Sequence, residues 1–195
     1  MKKKIIIAIV AVVVVAAIGV GAYFLIGGAG APKMEFADTP DVLNKVISTY
    51  AEDKTFFAMG GDGSTEVEEG KAGLVNLADK ENANFVLHTT DAILANVAEA
   101  ASYKHAMNEN IFASAALKLN DAKAAETLIA DLKTEITETR WMCGAPEKFV
   151  VFSVNGGEYV VYSFGSADNV DYFKAQLTTT LGESAVLVVE ESLVQ

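Results

Sequence analysis

Apolar residues recur along this chain with two different periods, and the switches between them predict its elements. Thr39-Pro40-Asp41 opens the first amphipathic segment. Threonine can cap a helix, proline is tolerated in its first turn, and aspartate suits the positive end of its dipole. Val42, Leu43, Val46, Ile47 and Tyr50 then follow at helical spacing, which predicts a helix over 40–52. The pattern breaks around Gly60-Gly61-Asp62-Gly63-Ser64, a loop signal. Phe85, Val86 and Leu87 read as a short strand, and Ile93, Leu94, Val97 and Ala101 predict a second helix over 91–107.

From residue 111 onwards the pattern sharpens. Ile111, Ala113, Ala115, Leu117 and Leu119 alternate with Phe112, Ser114, Ala116 and Lys118, the period of a strand. Asn120 and Asp121 start a helix whose Ala125, Leu128, Ile129, Leu132 and Ile136 make one stripe. Residues 149–154 and 158–164 are β-branched and aromatic and are joined by Asn155-Gly156-Gly157, a hairpin signal because Asn-Gly tolerates positive φ. Ser166 starts a helix carrying Val170, Phe173, Leu177 and Leu181, Gly182 stops it, and Ala185 to Val189 reads as a last strand.

Strand, helix, strand, strand, helix, strand over 111–190 is the order of a ferredoxin-like βαββαβ unit. The expected fold is therefore α+β. Strands 111–119 and 158–164 are central, 149–154 and 184–190 are edges, and both helices lie on one face of a four-stranded sheet. The two N-terminal helices, 40–52 and 91–107, are expected to pack against its other face or against one end.

The first 31 residues belong to a different class. Lys2, Lys3 and Lys4 precede an uncharged run from Ile5 to Ile26, and a Gly/Ala hinge, Gly27 to Ala31, follows. As a helix the run spans roughly 33 Å, enough to cross a bilayer's hydrocarbon core. The lysines place its N-terminus in the cytoplasm. The expectation is a cytoplasmic tip, transmembrane anchor and hinge over 1–31, followed by an extracytoplasmic domain over 32–195. A signal peptide cleaved near Ala31 is the alternative, disfavoured because its apolar region is usually about 7–15 residues.

Charge excludes one class of partner. All 26 acidic residues lie beyond the hinge, with 12 of the 15 basic ones, so that part carries a formal charge of −14. Nucleic-acid binding depends on pairing Lys and Arg with phosphate and is ruled out. The lone cysteine, Cys143, permits no intramolecular disulfide, so the domain is held by its core.

The stretch from Asn108 to Leu181 resembles the uncharacterised extracytoplasmic lipoprotein domains of Gram-positive anaerobes such as Clostridia. The resemblance lies in the strand ending Leu117-Lys118-Leu119-Asn120-Asp121-Ala122, the Ala/Leu/Lys/Glu helix after it, and the hairpin Phe149-Val150-Val151 … Tyr159-Val160-Val161. It implies an envelope location and no assigned activity, and it carries no functional residues across.

Candidate chemistry is sparse. The chain has no Gly-x-Ser-x-Gly elbow, no Ser-x-x-Lys, no His-Glu-x-x-His and no paired Cys-x-x-Cys. Cys143 could form a dyad with His88 or His105 only if the fold brings them together. Asp62, Ser64, Glu66, Glu68 and Glu69 have the spacing of oxygen ligands and form a calcium candidate, although Val67 stands where an EF-hand loop needs glycine. Phe56, Phe57, Tyr159 and Tyr162 are either core or a carbohydrate- or peptide-binding surface. No cofactor is expected. The expected function is a membrane-tethered binding or interaction module with a protein partner or self-association. The alternatives are an envelope hydrolase or transferase with an unrecognised site, and a divalent-cation or small-solute binder.

Overall fold

Three successive strands of this protein are apolar on both sides, and that decides the architecture. The computed structural model describes residues 32–141 and 144–193. Within them β4 (Phe112–Leu119), β5 (Lys148–Val154) and β6 (Tyr159–Gly165) are buried almost without interruption. A sheet apolar on both faces needs helices on both. The molecule accordingly has three layers, with five α-helices flanking one seven-stranded antiparallel sheet among the described residues.

The remaining strands are β1 (Ala58–Gly60), β2 (Gly73–Val75), β3 (Val97–His105) and β7 (Ala185–Ser192). The sheet order is β1-β3-β4-β6-β5-β7, and β2 also pairs with β3, one register further along the same side as β1. β1 and β2 together make one composite edge. Between them the chain leaves and returns through a crossing where Gly60 and Gly73 nearly touch, and a Cβ on Gly60 would stand 2.3 Å from the Lys71 carbonyl oxygen.

Helix α4 (Ala125–Glu138) lays its stripe of Leu128, Ile129, Leu132 and Ile136 on one face. α2 (Lys80–Leu87) and the single turn α3 (Asp91–Leu94) join it there through Val86, Leu87, Ile93 and Leu94. α1 (Thr39–Ile47) and α5 (Ala167–Leu181) cover the other face through Val42, Leu43, Val46, Val170, Phe173 and Leu177. Asp38 rather than Thr39 caps α1, its carboxylate accepting from the Asp41 amide. The hairpin between β5 and β6 turns through positive φ at Asn155, Gly156 and Gly157. The Asn155 side chain also pairs with both backbone groups of Met34, pinning the start of the described chain to the turn.

The ferredoxin-like expectation is corrected in three ways. The sheet has seven strands, not four. The last strand lies beside β5 rather than beside β4, whose other side is taken by β3, so β5 is interior and not an edge. The two crossover helices lie on opposite faces rather than sharing one. The last two points have one cause. Both crossovers, β4 to β5 and β6 to β7, step the same way along the sheet from strands that run oppositely. Right-handed crossovers then place their helices on opposite faces.

Two local expectations also change. Residues 97–105 form β3 and not a helix, because Ala100, Ala101, Ser102 and Tyr103 are all buried between two layers and show no alternation to read. Phe85, Val86 and Leu87 are the last turn of α2, which Asp79 caps through the Asn82 amide and His88 ends in the left-handed conformation. Tertiary burial outweighs local strand preference there.

No helix among the described residues is long and apolar enough to cross a membrane. The transmembrane helix, the signal anchor, the membrane as a partner and the single-pass location are therefore withdrawn. The run 5–26 on which they rested, and the cleavage site near Ala31, lie outside the described residues.

Candidate functional site

The residues with candidate chemistry are distributed over both layers. His88, at the end of α2, sits against Trp141 and Phe164, with ring centroids 4.9 and 5.0 Å away. Its Nε2 lies 3.2 Å from Glu109 Oε1, and Lys104 Nζ approaches the other carboxylate oxygen at 3.5 Å. The Nε2 contact is close but off the line of a well-aligned hydrogen bond. The His88 imidazole holds the Glu109 carboxyl below its ordinary range, against the opposing effect of burial, and the Lys104 ammonium adds to it. His105 is on the other face, stacked on Phe56 at 5.5 Å, and its Nδ1 accepts from the Met107 and Asn108 amides. The two histidines are thus separated by the sheet. Cys143, the thiol of either expected dyad, lies outside the described residues.

The calcium candidate is spread along an exposed loop. Asp62 uses Oδ1 for the Ser64 amide and Oδ2 for the Asn76 amide, which holds its carboxyl below the ordinary range despite partial burial. Glu68 pairs with Lys71 at 2.7 Å. Ser64, Glu66 and Glu69 are exposed. Among the described residues no three His, Cys, Asp or Glu side chains converge as a metal-ligand set. Asp62 works as a tether between the loop and the chain after β2.

The four aromatic candidates do not share a surface. Phe56 is half-buried against Tyr103 and Phe112 at 5.8 and 5.4 Å. Phe57 is exposed. Tyr159 meets Phe36 edge-on at 5.3 Å on the α1/α5 face. Tyr162 is fully buried on the opposite face and donates its hydroxyl to the Leu87 carbonyl. Burial pushes its phenol far above the ordinary range.

The surface features that sequence reading missed lie at the sheet edges. At the β1/β2 edge the loop between the two strands folds back onto β1, where the Gly70 amide donates to the Ala58 carbonyl at 3.3 Å. The β7 edge is open: its eight residues pair only with β5, and among the described residues no other backbone meets its outer side. Alongside it runs a groove of about 430 Å³ between the strand and α4. Its walls are Glu126, Ile129, Ala130 and Lys133 of α4 and residues 187–191 of β7. Lys133 pairs with Glu191 across it. A second cleft of about 450 Å³ is wide and shallow, between the start of α1 and the 65–74 loop. No signal in the sequence marks the groove: Glu126, Ala130 and Lys133 are ordinary positions off the apolar stripe of α4 until β7 is placed beside them.

No family model, curated protein or solved structure matches this chain. The resemblance to clostridial lipoprotein domains thus rests on the sequence pattern alone.

Proposed function

We propose that this chain is a non-catalytic binding module that engages a protein partner. One observation carries the reading: a long edge strand, β7, whose outer side meets no other backbone among the described residues, lies beside a groove. Open strand edges invite pairing with another chain, and proteins that do not use them blunt them. The titratable side chains support this reading from another direction. His105, Asp62, Lys148 and Asp171 are each engaged in holding a turn or joining two elements. His88, Glu109 and Lys104 are engaged with one another, and His88 is set between the rings of Trp141 and Phe164.

The test is photo-crosslinking of the full chain in its source cells, followed by titration of any recovered partner against the purified protein. A partner that binds the purified chain saturably supports a binding module. A purified chain that turns over an ester, amide or glycoside substrate, with the activity lost in His88→Ala, would overturn it in favour of the hydrolase alternative.

A further inference from the structure

We propose that the outer edge of β7 takes up an extended, cationic peptide segment of another protein as an additional antiparallel strand, with α4 as one wall of its seat. This rests on the binding-module reading above and names the partner's chemistry.

Three observations converge on it. The first is the unpaired edge itself. β7 has neither proline nor lysine along Ala185–Ser192, two residues that commonly close an edge to pairing. Its one irregularity is a bulge, the register shift with β5 between the partners of Val151 and Phe152, which sets Val188 out of step. The bulge lies within the 187–191 wall of the groove, and the regular stretch after it, Val189 to Ser192, is the part of this edge left for an incoming strand. The second is the groove. Ile129 forms its apolar floor and Ala130, exposed and small, leaves the α4 wall low enough for side chains to enter. Main-chain bonds to the edge would supply affinity, and alternate side chains entering the groove would supply selectivity.

The third is charge, and it selects the occupant. The described residues carry 12 basic and 26 acidic side chains, a net −14. Two copies of such a body repel each other, so a second copy is the disfavoured occupant. A cationic segment is steered towards it instead. At the groove itself Glu126 makes no ion pair among the described residues, and Glu191 is held by the single lysine of the walls, Lys133. Glu190 is already claimed on the α5 side by Lys148 and Lys174, at 2.6 Å each. The recognised chemistry is therefore an extended segment alternating small apolar and basic residues.

The experiment uses the full chain and a fluorescent acetyl-KVKVKVK-amide peptide as probe. The controls are the same peptide with proline for its central valine and an EVEVEVE peptide. Binding is followed by anisotropy at two salt concentrations, and backbone hydrogen exchange locates it. The expected result is saturable binding that weakens with salt, with slowed exchange at amides of 189–192. Replacing the central valine by proline, or Ala130→Trp in the protein, should weaken binding at least about tenfold, the equivalent of one or two hydrogen bonds lost. Ala130 is an exposed helix position, so this variant should fold, and Ala130→Ser should bind as the parent does.

Absence of binding, indifference to proline or to Ala130→Trp, or protection confined to another surface would each overturn the inference. So would a dimer, seen by sedimentation without peptide, that already protects 189–192. If crosslinking still recovers a saturable protein partner in those cases, the binding-module reading survives and only the β7 site fails.

Discussion

At the scale of single residues, the conformations that matter are those that only one side chain can supply. Gly165 closes β6 at φ 151°, and a Cβ there would stand 2.4 Å from the Ile111 carbonyl oxygen. Both the conformation and the contact are with backbone that cannot move aside. Gly165→Ala is expected to cost about 2 kcal/mol or more, read by urea denaturation. A change under about 0.5 kcal/mol would show that the β4–β6 register tolerates a shift there. Glu109 supplies the pH dependence. Its carboxyl lies below the ordinary range, held there first by His88, against burial, with help from Lys104. A depressed folded value means that the stabilisation is complete above the unfolded carboxyl range. It is lost as pH falls through the folded value. Glu109→Gln should therefore be less stable than the parent at pH 7, by about 1 kcal/mol, with the gap closing at a pH low enough to protonate the parent's carboxyl. A gap of equal size at both pH values would mean that the carboxylate contributes only by packing.

At the scale of elements, the segment 80–87 shows how context overrides preference. Phe85 and Leu87 look equivalent in an apolar Phe-Val-Leu run, yet in α2 they point opposite ways: Phe85 is 67% exposed and Leu87 1%. Phe85→Ala should change stability by less than about 0.5 kcal/mol, while Leu87→Ala should cost about 2–5 kcal/mol. Comparable losses from both would place them in a doubly buried strand instead. The ion-pair network joining β5, α5 and β7 is a second element-scale feature. Lys148 and Lys174 each lie within 2.8 Å of both Asp171 and Glu190. Burial works against the Lys148 ammonium, but its bonds to Asp171 and Glu190 outweigh that and push it up to about 12. Lys148→Met keeps the apolar stem and removes the charge, leaving two carboxylates to face Lys174 alone. The expected loss is about 1 kcal/mol in low salt, shrinking in high salt because the carboxylates are part exposed.

At the scale of the whole molecule, the three layers make a thermodynamic prediction that a shared helical face would not. Leu132 of α4 and Leu177 of α5 are both fully buried, in separate clusters on opposite sides of the sheet. Leu132→Ala and Leu177→Ala should each cost about 2–5 kcal/mol and combine additively within about 0.5 kcal/mol. Coupling beyond about 1 kcal/mol in a double-mutant cycle would mean that the two cores are not independent. The same layering explains the binding proposal. With both faces of the sheet covered, strand addition is confined to an edge, and among the described residues β7 offers a long one whose outer side meets no other backbone.

The sequence by itself determined those elements whose side chains face two different environments. The stripes of α4 and α5 and the Asn155-Gly156-Gly157 turn are legible because one side of each is wet or strained, so the pattern records the asymmetry. Composition alone determined the strongly acidic surface and the absence of disulfides. β5 and β6 are apolar on both sides and are still legible from their β-branched and aromatic residues, whereas β3, Val97–His105, is rich in alanine with little β-branched content and reads as a continuation of a helix. Edge order, helix side and the open β7 groove were decided only in tertiary structure. Once β3 occupies the free side of β4, the last strand must go to β5. The right-handedness of crossovers then sends α4 and α5 to opposite faces. That is a long-range consequence of chain connectivity, and no local pattern of residues encodes it.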